Sequence, residues 1–362
     1  MTVVRIGAAG MRRSGPHRLR VAGVERLCDD AVAVRFDVPP DLSANFRFRA
    51  GQSVALRRVV AGRDERRTYS LCSPPGEGLR IGVRAIPGGL FSTWLTDEIA
   101  PGDEVEVFPP SGSFTPDLDV AAHHVLICAG SGITPAVAIA AEALRNPRSR
   151  VTLLYGNRRS STVMFADELA DLKDRYPSRL AIYHFLSREQ QEAQLLSGRL
   201  DAEKLDLVLD TVLRADDVDH WWLCGPLNMV EAARSVLTAR GVPPDEIHRE
   251  LFYVDDPPPE VSRVEAAPDG PVSEVSLTLD GRTSVLRLPR ELPILEAAQH
   301  ERNDLPFACR GGVCGTCRAR LVEGEVKMRR NFALSPEEVE AGFVLTCQSL
   351  PQTDRVAVDY DA

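Results

Sequence analysis

The sequence lacks three features, and each absence excludes a class of protein. No run of apolar residues approaches the roughly eighteen that a membrane span needs. The N-terminal residues contain no apolar segment of the kind found in a secretory signal peptide. Basic residues are not in excess, because the formal net charge is −9, whereas a surface that binds nucleic acid is rich in lysine and arginine. We therefore expect a cytoplasmic protein that binds neither membranes nor nucleic acids.

The composition is that of a folded protein with several domains. The 362 residues are enough for two or three domains of ordinary size. Apolar residues make up 44% of the chain and charged residues 26%, which is typical of globular proteins. Residues 1–17 are predicted to be a flexible leader outside these domains.

Residues 18–117 have the pattern of an antiparallel β domain. Short runs alternate in polarity and end at turns rich in glycine and proline. This pattern predicts an antiparallel barrel or sandwich. The predicted strands are Ala31–Phe36, Ser53–Leu56, Leu79–Arg84 and Glu104–Phe108.

Residues 118–254 have a different pattern, in which apolar strands alternate with helical segments. This alternation predicts a parallel sheet covered by helices on both faces. The predicted strands are Val125–Ala129, Val151–Tyr155, Leu180–Leu186 and Trp221–Cys224. The predicted helices follow Pro135 and lie near Phe165–Tyr176, Ala202–Leu213 and Met229–Arg240.

The C-terminal part of the chain begins with a proline-rich linker, residues 255–272, which we expect to be extended and semi-rigid. Residues 273–362 then read as a small α+β domain. Its predicted elements are a hairpin over Ser276–Leu288, a short helix over Ile294–His300, a cysteine-containing loop and a closing strand at Val356–Val358.

Four of the eight cysteines lie near the C-terminus with the spacing C-x4-C-x2-C-x29-C. This is the spacing of a plant-type [2Fe–2S] cluster, which takes four cysteine thiolates. Glycines between the cysteines would let backbone N–H groups approach the sulfur atoms. A structural zinc site would more often have two separated C-x2-C pairs, and a disulfide is not expected in the cytoplasm. The predicted cluster ligands are Cys309, Cys314, Cys317 and Cys347.

Four further motifs give the chain a family resemblance: Arg67–Ser70, Leu154–Arg158, Phe185–Gln191 and Gly342–Ser349. The cysteine spacing resembles plant-type ferredoxins, and the region before it resembles ferredoxin–NADP⁺ reductases. The domain order is similar to that of the reductase components of bacterial oxygenases, and among these to the phenylacetyl-CoA epoxidase reductases. The resemblance covers nearly the whole chain. It implies an antiparallel β-barrel flavin domain, an α/β parallel-sheet nucleotide domain and an α+β β-grasp ferredoxin domain.

The resemblance places the flavin on Arg67, Thr68, Tyr69 and Ser70. Arg67 would face the cofactor phosphates, Tyr69 would pack on the isoalloxazine ring, and Ser70 would lie near flavin N5. Arginine gives charge-assisted hydrogen bonds to phosphate, and tyrosine offers a flat apolar face. By itself, however, the motif could be an ordinary strand with alternating faces.

A second segment, residues 84–93, supports the flavin prediction. In this segment a strand is followed by glycines and then by the start of a helix that contains serine and threonine. Backbone amides at such a helix N-terminus can bind phosphate. The segment resembles FAD-binding relatives more than FMN-binding ones, so FAD is the predicted flavin. The residues assigned to FAD from this segment are Arg84, Ala85, Ile86, Gly89, Phe91, Ser92 and Thr93.

The nucleotide is expected where strands of the parallel sheet end. Gly130 and Gly132 open a strand-to-helix turn, which allows close approach of an anion to a helix N-terminus. A lone Gly-x-Gly could also be a simple turn. Ser187 and Arg188 follow another strand, and their hydroxyl and guanidinium groups suit the 2′-phosphate of NADPH better than NADH. The alternative for this pair is a surface turn.

The family resemblance assigns the remaining site residues. Thr134, Cys224 and Gly225 would lie at the nicotinamide, and Glu250 and Phe252 would border the flavin. Cys224 is not expected to act as a nucleophile, because hydride transfer needs alignment rather than covalent attack. The predicted catalytic residues are Ser70, Cys224 and Glu250.

These assignments predict an electron-transfer reductase. Electrons would pass from NADPH through FAD and the cluster to the oxygenase component of a multicomponent monooxygenase, a di-iron epoxidase acting on phenylacetyl-CoA. A reductase of the same build could serve a steroid or alkane hydroxylase or a Rieske dioxygenase instead. An alternative of another class is a non-enzymatic iron–sulfur carrier or redox sensor.

Overall fold

The computed structural model describes residues 2–4, 15–60, 63–252, 270–299, 301–302, 304–307 and 309–362. They pack as two compact units. One unit comprises Met1–His17, Ala55–Thr68 and Tyr253–Ala362, and the other comprises Arg18–Val54 and Tyr69–Phe252. Most of the predicted leader 1–17 and of the predicted linker 255–272 lies outside the described residues.

The N-terminal strands are β1 (Thr2–Val4), β2 (His17–Cys28), β3 (Ala31–Asp37), β4 (Ser53–Val60), β5 (Arg63–Ser70), β6 (Leu79–Arg84) and β7 (Glu104–Val107), with helix α1 (Leu90–Asp97) after β6. Strands β2 to β7 form one sheet in the order β5-β4-β7-β2-β3-β6. Strand β3 is antiparallel to both β2 and β6. An isolated antiparallel bridge joins Leu71, which follows β5, to Ile81 of β6. The bridge connects the two ends of the strand order, so the sheet closes into the predicted barrel.

The next sheet contains β8 (His123–Ala129), β9 (Arg150–Asn157), β10 (Leu180–Leu186), β11 (His220–Cys224) and β12 (Ile247–Glu250). The strand order is β10-β9-β8-β11-β12, and every pairing is parallel. Its helices are α2 (Ile133–Ala143), α3 (Ala166–Arg175), α4 (Ala202–Thr211) and α5 (Leu227–Ala239). The predicted α/β parallel sheet is thereby confirmed. Because all strands point the same way, their carboxyl ends share one edge, where ligands bind in open sheets of this kind.

The C-terminal strands are β13 (Val272–Leu279), β14 (Arg282–Pro289), β15 (Arg318–Glu323), β16 (Val326–Met328), β17 (Phe343–Leu345), β18 (Ser349–Pro351) and β19 (Arg355–Asp359), with helices α6 (Ile294–Ala298) and α7 (Pro336–Glu340). Five strands form a mixed sheet in the order β14-β13-β19-β15-β17, in which β13 and β19 are parallel. A hairpin, a helix and a parallel central pair are features of the predicted β-grasp fold.

Strand β1 differs from the sequence prediction. Residues Thr2–Val4 pair antiparallel with β16, at the edge of a small sheet completed by β18, whereas the sequence analysis predicts a flexible leader. The run Thr-Val-Val is rich in β-branched residues, which favour strands, and an exposed strand edge offers unpaired backbone groups to such a segment.

Two apolar cores support these sheets. One surrounds α2 and the parallel sheet and includes Ile133, Tyr155 and Phe165. The other lies inside the mixed sheet and includes Leu277, Leu321 and Val358. All eight cysteines are free thiols. In the part of the chain that the structure describes, no helix is long and apolar enough to cross a membrane.

Candidate functional site

The three predicted catalytic residues meet at the carboxyl edge of the parallel sheet. Ser70, the last residue of β5, donates a hydrogen bond from Oγ to Oε2 of Glu250 at 3.1 Å. Glu250 ends β12 and stands opposite Cys224, the last residue of β11, in the parallel register. Strands β11 and β12 end at the same edge of the sheet, so Cys224 and Glu250 are neighbours there. The hydrogen bond to Glu250 brings Ser70, 180 positions away in sequence, to the same edge.

Burial sets the protonation of two of these groups. The surrounding protein desolvates the Glu250 carboxyl and raises its pKa to about 7, although the hydrogen bond from Ser70 acts in the opposite direction. The Cys224 side chain is fully buried, and desolvation, with a smaller contribution from the Glu250 charge, raises the pKa of its thiol. A neutral buried thiol is a poor nucleophile. The geometry therefore fits a glutamic acid that can hold or release a proton near neutral pH beside an unreactive cysteine.

A glycine turn brings a helix N-terminus against this edge. Gly130 has a φ of +56°, and Gly130–Gly132 forms a single 3-10 turn before α2. A Cβ on Gly132 would lie 2.1 Å from the carbonyl oxygen of Cys224, so only glycine permits this approach. Tyr155 Oη donates to the Gly130 carbonyl at 3.0 Å and fixes the turn. Such a cradle, with backbone amides at a helix N-terminus, suits the pyrophosphate of a dinucleotide.

Thr134 is held in the first turn of α2. Its Oγ1 donates to the Ser131 carbonyl at 2.9 Å, and the residue is almost fully buried. A Cβ on Gly82 of β6 would come within 2.6 Å of Thr134 Cγ2 and 2.9 Å of Phe165 Cζ. The absence of a side chain at Gly82 therefore allows the barrel strand to pack directly on the start of α2.

The segment after β6 supplies an apolar platform and a helix N-terminus. The Phe91 ring lies 6.2 Å from that of Tyr69, and it meets Trp94 edge-on at 5.5 Å. Ser92 Oγ accepts a hydrogen bond from the Ile86 amide at 3.1 Å, so this hydroxyl is used within the turn. The first amides of a helix have no partner within it, and amides in this position can bind phosphate. The segment thus fits the flavin through its backbone and its aromatic rings.

Two arginines assigned to the flavin also have protein partners. Arg67 Nη1 lies 3.0 Å from Glu65 and donates to the Arg66 carbonyl at 2.6 Å. The Arg84 guanidinium forms an ion pair with Asp30, Nε to Oδ1 at 3.2 Å, and donates to the Thr162 carbonyl. The role of each in holding FAD stays a prediction, as do the roles of Thr68, Ala85, Gly89 and Thr93.

The predicted 2′-phosphate residues follow β10 at another part of the same edge, and strands β9 and β8 lie between β10 and β11. The Ser187 amide donates to the Asn157 carbonyl at 2.9 Å, and the Arg188 amide donates to the Arg158 carbonyl at 2.8 Å. Arg158 and Arg188 therefore follow β9 and β10 side by side, and both are at least partly exposed. Arg158 belongs to the Leu154–Arg158 motif but is not among the predicted site residues, although it follows a parallel strand just as Arg188 does.

The Glu189 carboxylate, which follows Arg188 in sequence, already has hydrogen-bond partners within the protein. Glu189 Oε2 accepts from the Ser160 amide at 2.9 Å and from the Ser160 hydroxyl at 3.0 Å. A carboxylate in this neighbourhood would favour the ribose diol of NADH and repel a 2′-phosphate if it were turned toward the nucleotide. Its two bonds to Ser160 hold it instead at the loop after β9.

The four C-terminal cysteines form two pairs of thiols. Cys309 donates to Cys314, which lowers the pKa of Cys314 to about 6 and raises that of Cys309. Cys347 is hydrogen-bonded to Cys317 in the same way, and its pKa is raised. No three His, Cys, Asp or Glu side chains among the described residues are arranged to hold a single metal ion. Two pairs of soft sulfur donors fit the four-thiolate ligand set that a [2Fe–2S] cluster would take.

Backbone conformation shapes the loop between the cysteines. Gly312 and Gly315 have φ values of +80° and +64°, so the predicted need for glycine holds at these two positions. The Val313 amide points at the Cys309 sulfur at 3.4 Å. Arg310 is also left-handed, with φ of +52°, which the sequence did not reveal. The Gln348 side chain donates to its carbonyl at 2.7 Å, and this bond helps to hold the strained residue.

Three family models match the chain in the order of these sites. The oxidoreductase FAD-binding domain matches residues 18–115, the oxidoreductase NAD-binding domain matches residues 126–235, and the 2Fe-2S iron-sulfur cluster binding domain matches residues 277–352. Together the fold and the matches define an NAD(P)H-dependent flavin and iron–sulfur oxidoreductase.

Individual proteins match along almost the full length. The chain is 42% identical to a subunit of the 1,2-phenylacetyl-CoA epoxidase of Escherichia coli (strain K12), over 96% of this chain and 98% of that protein. It is 34% identical to the ferredoxin reductase component of 3-ketosteroid-9-alpha-monooxygenase of Rhodococcus rhodochrous, over 94% and 96% of the two chains. The chain belongs to the family of oxygenase reductase components that includes these two proteins.

A solved structure confirms the fold across all three domains. Phthalate dioxygenase reductase has a TM-score of 0.58 and 24% identity, with coverage of 95% of this chain and 98% of that chain. That protein is described as a modular structure for electron transfer from pyridine nucleotides to [2Fe-2S].

Proposed function

We propose that this chain carries electrons in the cytoplasm from NADPH, through FAD and a [2Fe–2S] cluster, to the di-iron oxygenase component of a phenylacetyl-CoA epoxidase. The observation that carries this proposal is the 42% identity along nearly the whole of both chains, combined with two paired sets of thiols and a nucleotide cradle in one protein. A bound flavin would supply the chemistry of taking up one hydride, which carries two electrons, and of releasing those electrons one at a time. The chain's own residues would align the cofactors, shield them from water and transfer protons.

The alignment of the nicotinamide follows from the glycine turn and the sheet edge. The close approach of Gly132 to the Cys224 carbonyl would seat the ring at the ends of β8 and β11. Cys224 would present a small neutral side chain there, and Thr134 would form the opposite wall. Hydride transfer depends on holding the donor and acceptor carbons in contact, which these rigid, buried groups can do.

Ser70 and Glu250 are the residues proposed to handle protons at the flavin. Their hydrogen bond connects a hydroxyl at the end of the barrel strand to a carboxyl whose pKa is about 7. A carboxyl of this pKa is protonated in about half of the molecules at neutral pH. Ser70 would therefore relay a proton between the Glu250 carboxyl and the flavin edge.

NADPH is the proposed nucleotide because of the charges after β9 and β10. Arg158 and Arg188 lie on adjacent strand ends, joined by the backbone bond from Arg188 to Arg158. A 2′-phosphate carries close to two negative charges and can accept bonds from both guanidinium groups. The attachment of Glu189 to Ser160 keeps the competing carboxylate away. Cys309, Cys314, Cys317 and Cys347 are the proposed cluster ligands.

The proposal is tested by turnover with purified partners. The purified chain should reduce cytochrome c or a dye with NADPH, and should support epoxidation of phenylacetyl-CoA when the epoxidase oxygenase is added. A steroid or Rieske oxygenase offered at equal concentration should receive electrons much more slowly. Dye reduction with a preference for another oxygenase would reassign the partner, whereas absence of dye reduction would favour the non-enzymatic carrier.

A Glu250→Gln variant should separate the proton role from folding. The folded pKa of about 7 lies above the ordinary value of 4.5, so the ionised form is disfavoured in the folded state. The free-energy cost of ionising Glu250 in the folded protein is absent below about pH 4.5. It grows as the pH rises and is fully present above about pH 7. The variant should therefore be more stable than the native protein at pH 8, by on the order of 2 kcal/mol, and unchanged at pH 4.5. Thermal unfolding at both pH values measures this.

The same variant should lose the pH dependence of flavin reduction near pH 7. Glu246→Gln, a change of the same type just before β12, is the matched control and should behave as the native protein in both assays. A Glu250→Gln protein that keeps a rate midpoint near pH 7 would assign the proton to another group.

A further inference from the structure

One contact links the cysteine loop to barrel strand β5 within a single compact unit. Thr316, between Cys314 and Cys317, lies with its Oγ1 3.0 Å from Oγ1 of Thr68 on β5. Both residues belong to the unit that contains Ala55–Thr68 and the C-terminal domain. The two threonines are 248 positions apart in sequence, so chain connectivity does not impose this contact.

The Thr316 side chain is shielded from solvent by the surrounding protein. Only 9% of the Thr316 surface is exposed, although a threonine hydroxyl in a solvent-facing loop would ordinarily bond to water. Gly311 and Gly312 of the same loop are buried as well, whereas Gly315 next to Thr316 is half-buried. A covered hydroxyl needs a protein partner to avoid a desolvation cost, and Thr68 provides one.

Arg66, on the same strand as Thr68, acts weakly on Asp304, which precedes the cysteine loop. The pKa of the Asp304 carboxyl is held below its usual range mainly by the hydrogen bond from Arg302, and the Arg66 charge makes a smaller contribution. Arg66, Thr68 and Ser70 alternate along β5 and share one face of the strand, whereas Arg67 and Tyr69 point to the other face, so the flavin motif has residues on both faces. One strand thus bears both the flavin motif and the docking contact.

We infer that the Thr68–Thr316 hydrogen bond is the docking contact that positions the cysteine loop for receipt of an electron from the flavin. The inference rests on the proposed function and adds two positioning residues to it. The step moves one electron from the reduced flavin to the oxidised cluster, and no covalent bond forms or breaks.

A double-mutant cycle tests this contact in the full-length holoprotein. Thr68→Val and Thr316→Val each remove one hydroxyl at nearly constant volume. After rapid mixing with NADPH, each variant should reduce the cluster about three- to tenfold more slowly, the factor expected for one neutral hydrogen bond. The double variant should be no slower than either single variant. Effects that multiply would mean that each threonine acts separately on its own cofactor, and would overturn the inference.

A second pair of threonines provides the matched control. Thr278 and Thr283 join β13 and β14 through the same kind of bond, Oγ1 to Oγ1 at 2.9 Å. Thr278→Val and Thr283→Val should leave the rate of cluster reduction unchanged. If they slow it equally, the effect comes from general loosening of the domain and the docking role is wrong.

Hydrogen exchange tests the contact without any electron transfer. In Thr68→Val the amides of residues 311–316 should exchange about three- to tenfold faster than in the native protein, although the substitution lies on β5. Unchanged exchange would show that Thr68 does not cover the loop. This measurement needs neither nucleotide nor oxygenase, so its outcome does not depend on the proposed partner.

Discussion

Replacement of Cys314 by serine is expected to remove the visible absorption of the [2Fe–2S] cluster and to reduce electron delivery to the oxygenase by at least about a hundredfold. Serine lacks the soft sulfur donor that the irons require. The thiol pair that Cys314 forms with Cys309 would then offer one thiol and one hydroxyl. NADPH should still bleach the flavin, because the predicted flavin residues lie on other strands. Iron and sulfide content, the visible spectrum and stopped-flow flavin reduction measure these outcomes.

Cys28→Ser is the control for this experiment. Cys28 is a partly exposed thiol that donates to Asp30 at 3.4 Å, and it lies in the barrel rather than in the cysteine loop. This variant should retain the cluster and full delivery to the partner. A Cys314→Ser protein that keeps both would refute the ligand assignment.

Replacement of Arg188 by alanine is expected to lower kcat/KM for NADPH by about 30- to 150-fold and to leave that for NADH nearly unchanged. Each charge-assisted bond to a phosphate is worth about 1.5–3 kcal/mol, and exposure of the arginine leaves about 2–3 kcal/mol of discrimination. Arg158→Ala should act in the same direction, because its guanidinium follows the neighbouring strand. Steady-state kinetics with both nucleotides provide the measurement.

Arg150→Ala serves as the matched control. Arg150 is an exposed arginine at the opposite end of β9 from Arg158, so its loss changes the net charge by the same amount without changing the carboxyl edge. It should leave the NADPH preference intact. Equal efficiencies for the two nucleotides in the native protein, or equal losses in Arg188→Ala, would mean that Arg188 does not recognise the 2′-phosphate.

The strands and cofactor domains were largely predictable because their signals are local. Strands β6 and β10 have the predicted bounds, Leu79–Arg84 and Leu180–Leu186, since β6 alternates in polarity and β10 is a mostly apolar run closed by polar residues. The cysteine spacing identified the iron–sulfur domain that the family model confirms. Helix ends were less certain: α6 ends at Ala298 rather than His300, because local sequence does not specify where tertiary packing stops a short helix.

The sequence by itself determined which chemical groups are available: four thiols at cluster spacing, a glycine turn after a strand, and arginines at strand ends. Tertiary structure alone decided which of them meet. The bond between Ser70 and Glu250, the attachment of Glu189 to Ser160, and the contact of Thr68 with Thr316 join residues 180, 29 and 248 positions apart. The pKa of Glu250 likewise depends on burial. Periodicity and spacing report local conformation, whereas such pairings and burial depend on how sheets and loops pack across the whole chain.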